Sequence, residues 1–529
     1  MAQILISGGT ILTMGSSLQA EAVLVDEGKI KRVGDRKELL AIADHAEEVS
    51  LEGKTMIPAF LDAHSHFSAC ANGLLQCSVE SARDFHELVD KIRTYIKENE
   101  IPEGSWVMVR DLDPEVLREK KVPDKTVLDQ ASNRHPIVLQ HKSGHVGVLN
   151  SAGLAWMGID GNTPDPSGGR IDKRDGEATG YLEENAFIQM QSRIPAVSGE
   201  NLIQAYGKAQ EMYASYGITT IQEGMMPKEM IPLYQYLGKE KKLWLDVVAY
   251  PAAADGEEID EALKEHLNAY RDGFRLGGYK IFLDGSPQSR TAWMRTPYLG
   301  TEDRGYPTLT DEQVEESVNM ALKKNRQLLA HCNGDAAAEQ YLRVLEQAAA
   351  AGADVAGTRP VLVHGQLLGL DQIPRLKKLG VIPSFFVAHV YHWGDTHIRN
   401  FGYDRAALIS PAAAAGEAGI PYTFHQDAPV IRPDMMETVW CAVNRITRDG
   451  VCLGEGQRIS VLEALKAVTI RAAYQYGEET GKGSIEEGKQ ADFVILDRNP
   501  LEVPAMELKE VQILQTIKMG KTVYRNQKR

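Results

Sequence analysis

Two histidines separated by a single residue, His64-Ser65-His66, follow an apolar run, with Asp62 just before them. On an extended strand residues i and i+2 face the same way, so both imidazoles project into one space. Neutral imidazoles side by side suit a borderline transition metal; the plainer reading is a polar strand end with two solvated histidines. His331 (LLAHCNGD) and His364 (VLVHGQ) each close a further apolar run. Either one alone reads more readily as a packed or surface histidine. Asp427, in HQDAP, closes another run, where a lone aspartate is usually a helix N-cap. Together, a paired HxH, two single histidines and an aspartate at the ends of β-like runs have few structural explanations. They point to a metal site. Nitrogen and oxygen donors of this kind favour zinc and also accept manganese, iron or nickel.

The runs that must position these residues are TMIPAFLDAHSH, GITTIQEG, LWLDVVAY, GYKIFLDGS, QLLAHCNGD, RPVLVHGQ, GVIPSFFV and PYTFHQDAP. Helix-like spans separate the later ones; 311–326 has apolar residues at helical spacing and a basic end. Such alternation predicts an α/β fold, a (β/α)8 TIM barrel. His64, His66, Lys280, His331, His364 and Asp427 fall at or near strand C-termini, the barrel end that carries active sites. The chain ends read differently. QILISGGTILT looks like two β-rich runs broken at Gly8-Gly9, a hairpin signal, and EAVLVDEGKIKRVG turns at Asp26-Glu27-Gly28. ADFVILD and LQTIKMGKTVYR, the latter turning at Met519-Gly520, repeat the pattern near the C-terminus. Neither set can bury a face alone, so 1–56 and 483–529 are expected to form one composite β-sandwich around a barrel domain spanning 57–482. Roughly 150 residues, about 70–215, separate the first two barrel strands, far more than a normal crossover. They contain strands of their own (SWVMVR, HPIVLQH) and glycine-rich turns (DPSGGR, DGEATGY), and are expected to form a lid over the barrel mouth. His145, in its SGH, could reach the pocket from there.

Composition narrows the partners. In 529 residues, Lys+Arg 58 against Asp+Glu 73 gives a net charge of −15, a poor surface for nucleic acid or anionic lipid. No stretch reaches the roughly 18 uncharged apolar residues of a membrane span. MAQILISGGT lacks the basic and apolar regions of a signal peptide. Five irregularly spaced cysteines make neither a disulfide framework nor a CxxC zinc site. A reduced, cytoplasmic protein acting on a small molecule is expected. No GxGxxG opens a first strand–helix turn, which argues against a dinucleotide-binding fold.

The chain resembles the amidohydrolase superfamily and, within it, the YtcJ-like group (amidohydrolase family 3), similar to N-substituted formamide deformylase. PAFLDAHSHF resembles that group's strand-one metal motif, KIFLDGSPQSRTA its strand-four segment, AHCNGDAA its strand-five segment and QDAPV its strand-eight segment. GKQADFVILDRNPL resembles its C-terminal signature; VPDKTVLDQ, SGHVGVLNSAGL, PDPSGGRI and TGYLEENA resemble its lid region. The resemblance implies two divalent metals, His64 and His66 on the first and His331 and His364 on the second. Asp427 would touch the first metal and act as general base. A carboxylated Lys280 would bridge the two; the plainer alternative is a lysine that snorkels or pairs with Asp284. The implied reaction is hydrolysis of a C–N bond by metal-activated hydroxide, an N-substituted formamide or related linear amide being one candidate substrate. A deaminase or cyclic-amide hydrolase could use the same site. A non-catalytic regulatory barrel is disfavoured, because every candidate ligand position holds a competent residue. Further histidines bear on the substrate: in FFVAHVYHWGDTH (385–397), His389 could bind a substrate oxygen or merely pack, with Trp393 beside it. His425 shares a strand face with Asp427, whereas Cys332 should point away from the face of His331. Relatives of this group are often dimers, so a homodimer is expected.

Overall fold

The computed structural model describes residues 3–526 apart from 44, 115, 143–145, 167–168, 192, 196–198 and 268. The chain divides into two compact units, Met1–Ala69 with Ala209–Arg529, and Cys70–Lys208.

In the larger unit the eight apolar runs form parallel strands. These are β1 (Phe60–Leu61), β2 (Ile218–Met226), β3 (Asp246–Pro251), β4 (Gly278–Phe282), β5 (Gln327–Cys332), β6 (Val361–His364), β7 (Ile382–Phe385) and β8 (Thr423–Phe424). Strands β1 to β3 and the short strand Phe274–Leu276 make one parallel sheet, and β4 to β8 a second. A parallel bridge between Ala252, just beyond β3, and Lys280 in β4 joins them. Parallel strands covered on both faces need continuous apolar runs, and β3 and β6 are buried throughout. Their register brings the strand ends level: Phe282 pairs with His331, Cys332 with His364, and His364 with Phe385.

Helices follow several strands. Among them are α1 (Asp311–Lys323), α2 (Asp335–Ala350), α3 (Ile373–Leu379), α4 (His389–Phe401) and α5 (Met435–Asn444). Helix α1 begins with a capping box, Thr310 against Gln313, carries Asp311 and Glu312 in its first turn and Lys323 in its last, and stops before the predicted end at 326.

Strands from both chain ends share one sheet. Its order is Lys521–Arg525, Ile513–Lys518, Phe493–Leu496, Thr55–Pro58, Ile4–Leu12, Gln19–Asp26 and Lys29–Gly34, with Glu47–Ser50 pairing beside Ile4–Leu12. Val494 against Ile57 is the seam between the two ends, and Ile11, Val23, Met56, Phe493 and Ile495 pack in one apolar cluster. The hairpin expected at Gly8-Gly9 is not formed. Ile4–Leu12 is a single strand whose register shifts between Ser7 and Ile11. Gly8 has φ +80, and a Cβ on Gly9 would meet Lys54 O at 2.2 Å, so the pair makes an irregularity within a strand pressed against its neighbour.

The smaller unit has its own six-stranded sheet: Gly169–Arg174, Glu177–Glu184, Val146–Leu149, Ile137–His141, Val107–Leu112 and Cys77–Ser78. Strand alternation splits its core, with Ile137 and Leu139 in one cluster and Val138 in the other. It ends at Lys208, a little before the expected 215. All five cysteines are free, and among the described residues no helix is long and apolar enough to cross a membrane.

Candidate metal centre

The strand ends gather the residues singled out by spacing. One ligand atom each from His64, His364 and Asp427 lie within 4.8 Å of one another. Asp427 Oδ1 is 3.5 Å from His64 Nε2 and 3.4 Å from His66 Nε2, while Oδ2 is 4.0 Å from His364 Nε2. His364 Nε2 in turn lies 3.0 Å from His331 Nδ1, and Lys280 Nζ lies 3.0 Å from His64 Nε2. His364 and Asp427 have φ of 74 and 55. Such left-handed residues cost on the order of 1–3 kcal/mol each, strain the surrounding structure must hold in place.

Hydrogen bonds behind the rings decide which nitrogen faces the centre. Gln222 donates its amide hydrogens to Ala63 O at 2.7 Å and Tyr476 Oη at 3.0 Å, so its Oε1 must accept. His64 therefore donates from Nδ1 to that oxygen, at 2.5 Å, and presents a bare Nε2. His331 Nε2 lies 3.2 Å from Gly285 O, which accepts, and 3.0 Å from Asn333 Nδ2, which donates; when the ring donates to Gly285, its Nδ1 is left bare. His364 Nδ1 meets His425 Nε2 at 3.0 Å, and His425 Nδ1 meets Ser384 Oγ at 3.0 Å. A serine hydroxyl both donates and accepts, so this chain can run either way. Running toward Ser384 it leaves His364 Nε2 bare as well.

Burial sets the charge states. It pulls His64 and His364 well below the usual histidine range, His331 down to about 4 and His425 down to about 3, so the rings are neutral, the form that binds metals. Burial also lowers Lys280 to about 7. Burial alone would raise Asp427, but His364, His66 and His64 together hold its carboxyl well below the carboxylate range. Its Oδ1 is buried and accepts no hydrogen bond among the described residues. An unsatisfied anionic oxygen facing bare imidazole nitrogens is a donor set that fits a divalent cation.

The pairing of Lys280 with Asp284, one sequence-level alternative, does not occur. Asp284 accepts backbone N–H groups from Trp293, Asn333 and Gly334 at 2.7–2.9 Å, and burial raises it to about 7. Lys280 Nζ instead stands at His64 and 4.9 Å above the Phe282 ring. Cys332 is fully buried, which pushes its thiol well up.

Sequence reasoning did not single out the end of β2. Gln222 orients His64. Glu223 accepts from Ser68 N at 2.8 Å, from Ser68 Oγ and from Tyr234 Oη at 2.7 Å, and bridges to His66 through the backbone. A Cβ on Gly224 would meet His64 Cε1 at 2.6 Å. The signal was available: QEG closes an apolar run just as the histidines do.

Helix α4 holds the other histidines. His389 is buried, its ring 4.5 Å from Trp393 and 4.6 Å from Phe386 between centroids, and its Nδ1 is 3.1 Å from His397 Nε2. His392 is engaged elsewhere, donating from Nε2 to Glu437 at 2.8 Å while Arg448 donates to its Nδ1 at 3.0 Å. His145 lies outside the described residues.

Comparison with known proteins identifies the family. The amidohydrolase family profile matches residues 47–524, and the chain belongs to that family. N-substituted formamide deformylase of Arthrobacter pascens is 27% identical over 521 residues, which cover 94% of this chain and 93% of that protein. The putative amidohydrolase YtcJ of Bacillus subtilis is 27% identical, with 98% of each chain covered. An uncharacterized metal-dependent hydrolase from Pyrococcus furiosus shares the fold, with a TM-score of 0.79 at 23% identity, covering 95% of this chain and 100% of that one.

Proposed function

We propose that the protein is a metal-dependent hydrolase of the C–N bond in a small linear amide, an N-substituted formamide being the first substrate to try. The observation that carries this reading is the buried, unsatisfied Asp427 Oδ1 among neutral imidazoles, with the bare Nε2 of His64 beside it. The name of the Arthrobacter pascens relative favours the formamide. His64, His66 and Asp427 would hold one divalent ion and His331 and His364 a second, zinc being the metal these donors favour. Lys280, as a carbamate, would supply an oxygen to each. Its ammonium first gives up one proton, and the resulting amine adds to carbon dioxide with formation of an N–C bond and loss of a second proton, so that a cation is replaced by an anion. When bound, the metals polarise the substrate carbonyl and make water acidic enough to ionise near neutrality. Asp427 takes the proton of the attacking water and returns it to the leaving nitrogen. His389, Trp393 and His145 are the substrate-binding candidates. The same reading closes β1 to β8 into a barrel and makes the terminal sheet its companion domain.

The test is metal content per chain with a screen of N-alkylformamides, longer acyl amines, cyclic amides and amino-heterocycles. Formate release from the first set supports the reading. Ammonia release from heterocycles alone would replace it with a deaminase, and no turnover by the metal-loaded protein would contradict both.

A further inference from the structure

The His389–His397 pair on α4 stands outside the ligand cluster, and two of its four ring nitrogens, one on each ring, have no partner among the described residues. His397 is fully buried, and its Nδ1 has no hydrogen-bond partner among the described residues. Its Nε2 meets His389 Nδ1 at 3.1 Å, and the rings stack with centroids 5.3 Å apart and an interplanar angle of 14°. Trp393 and Phe386 hold the His389 ring from other sides. One proton joins the two rings, and there are two ways to place it. If His389 donates, His397 carries its own proton on the orphaned Nδ1, and a buried N–H is left without an acceptor. If His397 donates from Nε2, the orphaned Nδ1 is a bare acceptor, and His389 carries its proton on Nε2. Orphaned buried N–H groups are the rarer and costlier of the two defects, so the second arrangement prevails.

We infer that His397 is a positioning residue that fixes His389 as the Nε2–H tautomer, making His389 a neutral hydrogen-bond donor to the substrate oxygen that gains negative charge. This rests on the reading of His389 as substrate-binding. His389 Nε2 has no partner among the described residues and is the nitrogen left for a ligand. The Phe386 ring packs against His389, at 4.6 Å between centroids, and against His425, at 5.5 Å, so a single ring links His389 to the histidine behind His364. A donor held in place by a buried partner is preorganised, the condition under which a hydrogen bond to developing charge lowers a barrier. His397 does for His389 what Gln222 does for His64, with the opposite outcome. Gln222 bares the working nitrogen; His397 protonates it.

Histidine ring 15N shifts of the metal-loaded full chain, assigned by the signal missing from His389→Gln, read the tautomer directly. His389 should show a protonated Nε2 and an unprotonated Nδ1. In His397→Phe that pattern should be lost, and kcat on N-butylformamide should fall about tenfold or more with KM changed less than about threefold, as for loss of a transition-state donor. His397→Gln, whose amide can still donate, should restore both to within about threefold. A wild-type His389 protonated on Nδ1 overturns the inference, as does a His397→Phe protein with unchanged ring shifts and kcat. If wild type does not act on N-butylformamide, the amide reading fails, and the wild-type ring shifts alone still decide the tautomer.

Discussion

Two groups of histidines in this chain share burial and neutrality and differ in what stands behind them. At the strand ends, His64 is backed by an acceptor, the Gln222 amide oxygen, so its inner nitrogen is bare beside Asp427, and His331 has the Gly285 carbonyl within reach of its outer nitrogen. On α4, His389 and His397 are backed by each other, and His392 by Glu437 and Arg448. The difference teaches that a buried neutral imidazole turns a bare nitrogen inward only when its far nitrogen is made to donate. Parallel strands bring rigid carbonyls and amides to that spot; a helix, whose carbonyls are spent on itself, does not.

The largest effect should come from the carboxylate at the strand ends. Asp427→Asn should lower kcat on an amide substrate about a thousandfold, the scale of losing a general base, while metal analysis still finds substantial metal. Retention of most of kcat would remove Asp427 as the base. The comparison itself is sharpened by Gln222→Leu, which frees His64 to carry its proton on either nitrogen. Metal affinity, read by chelator competition, should weaken about 10–100-fold with the fold intact. Unchanged affinity would mean that the backing acceptor is irrelevant. On the helix, His397 is held to about 3 by burial, below its unfolded value of about 6.5, so the unfolded chain binds one more proton between those values. Wild type therefore loses stability as pH falls through that window, with a slope of up to about 1.4 kcal/mol per pH unit from this residue alone. Denaturant titrations of His397→Phe should show a shallower decline below about pH 6.5, and an equal slope would contradict the buried neutral assignment.

Much of this was legible in the chain. A strand buried on both faces must be apolar until it emerges, so the residue at which VLV or LLA turns into histidine marks the strand end, and Asp427 was found by the same rule. Lys280, followed by Ile281 and Phe282 inside its strand, was singled out by the family resemblance. Glycine pairs carry no such direction. Gly8-Gly9 suits a hairpin or an irregular strand equally, and only the approach of Lys54, distant in sequence, decides it. The far sides of the rings were hidden for a related reason. Gln222 and Ser384 act on histidines far away in sequence, and spacing within 385–397 does not tell the self-paired His389 and His397 from the externally tied His392.

The most direct test of the account is to load the protein with zinc under 13C-labelled bicarbonate and measure zinc per chain together with the carbonyl 13C spectrum, for wild type and Lys280→Ala. A strand-end centre built on Lys280 predicts two zinc ions per chain and a carbamate resonance in wild type, with the resonance, most of the zinc and the activity lost together in the variant. One zinc per chain, no carbamate signal and an active Lys280→Ala would contradict it.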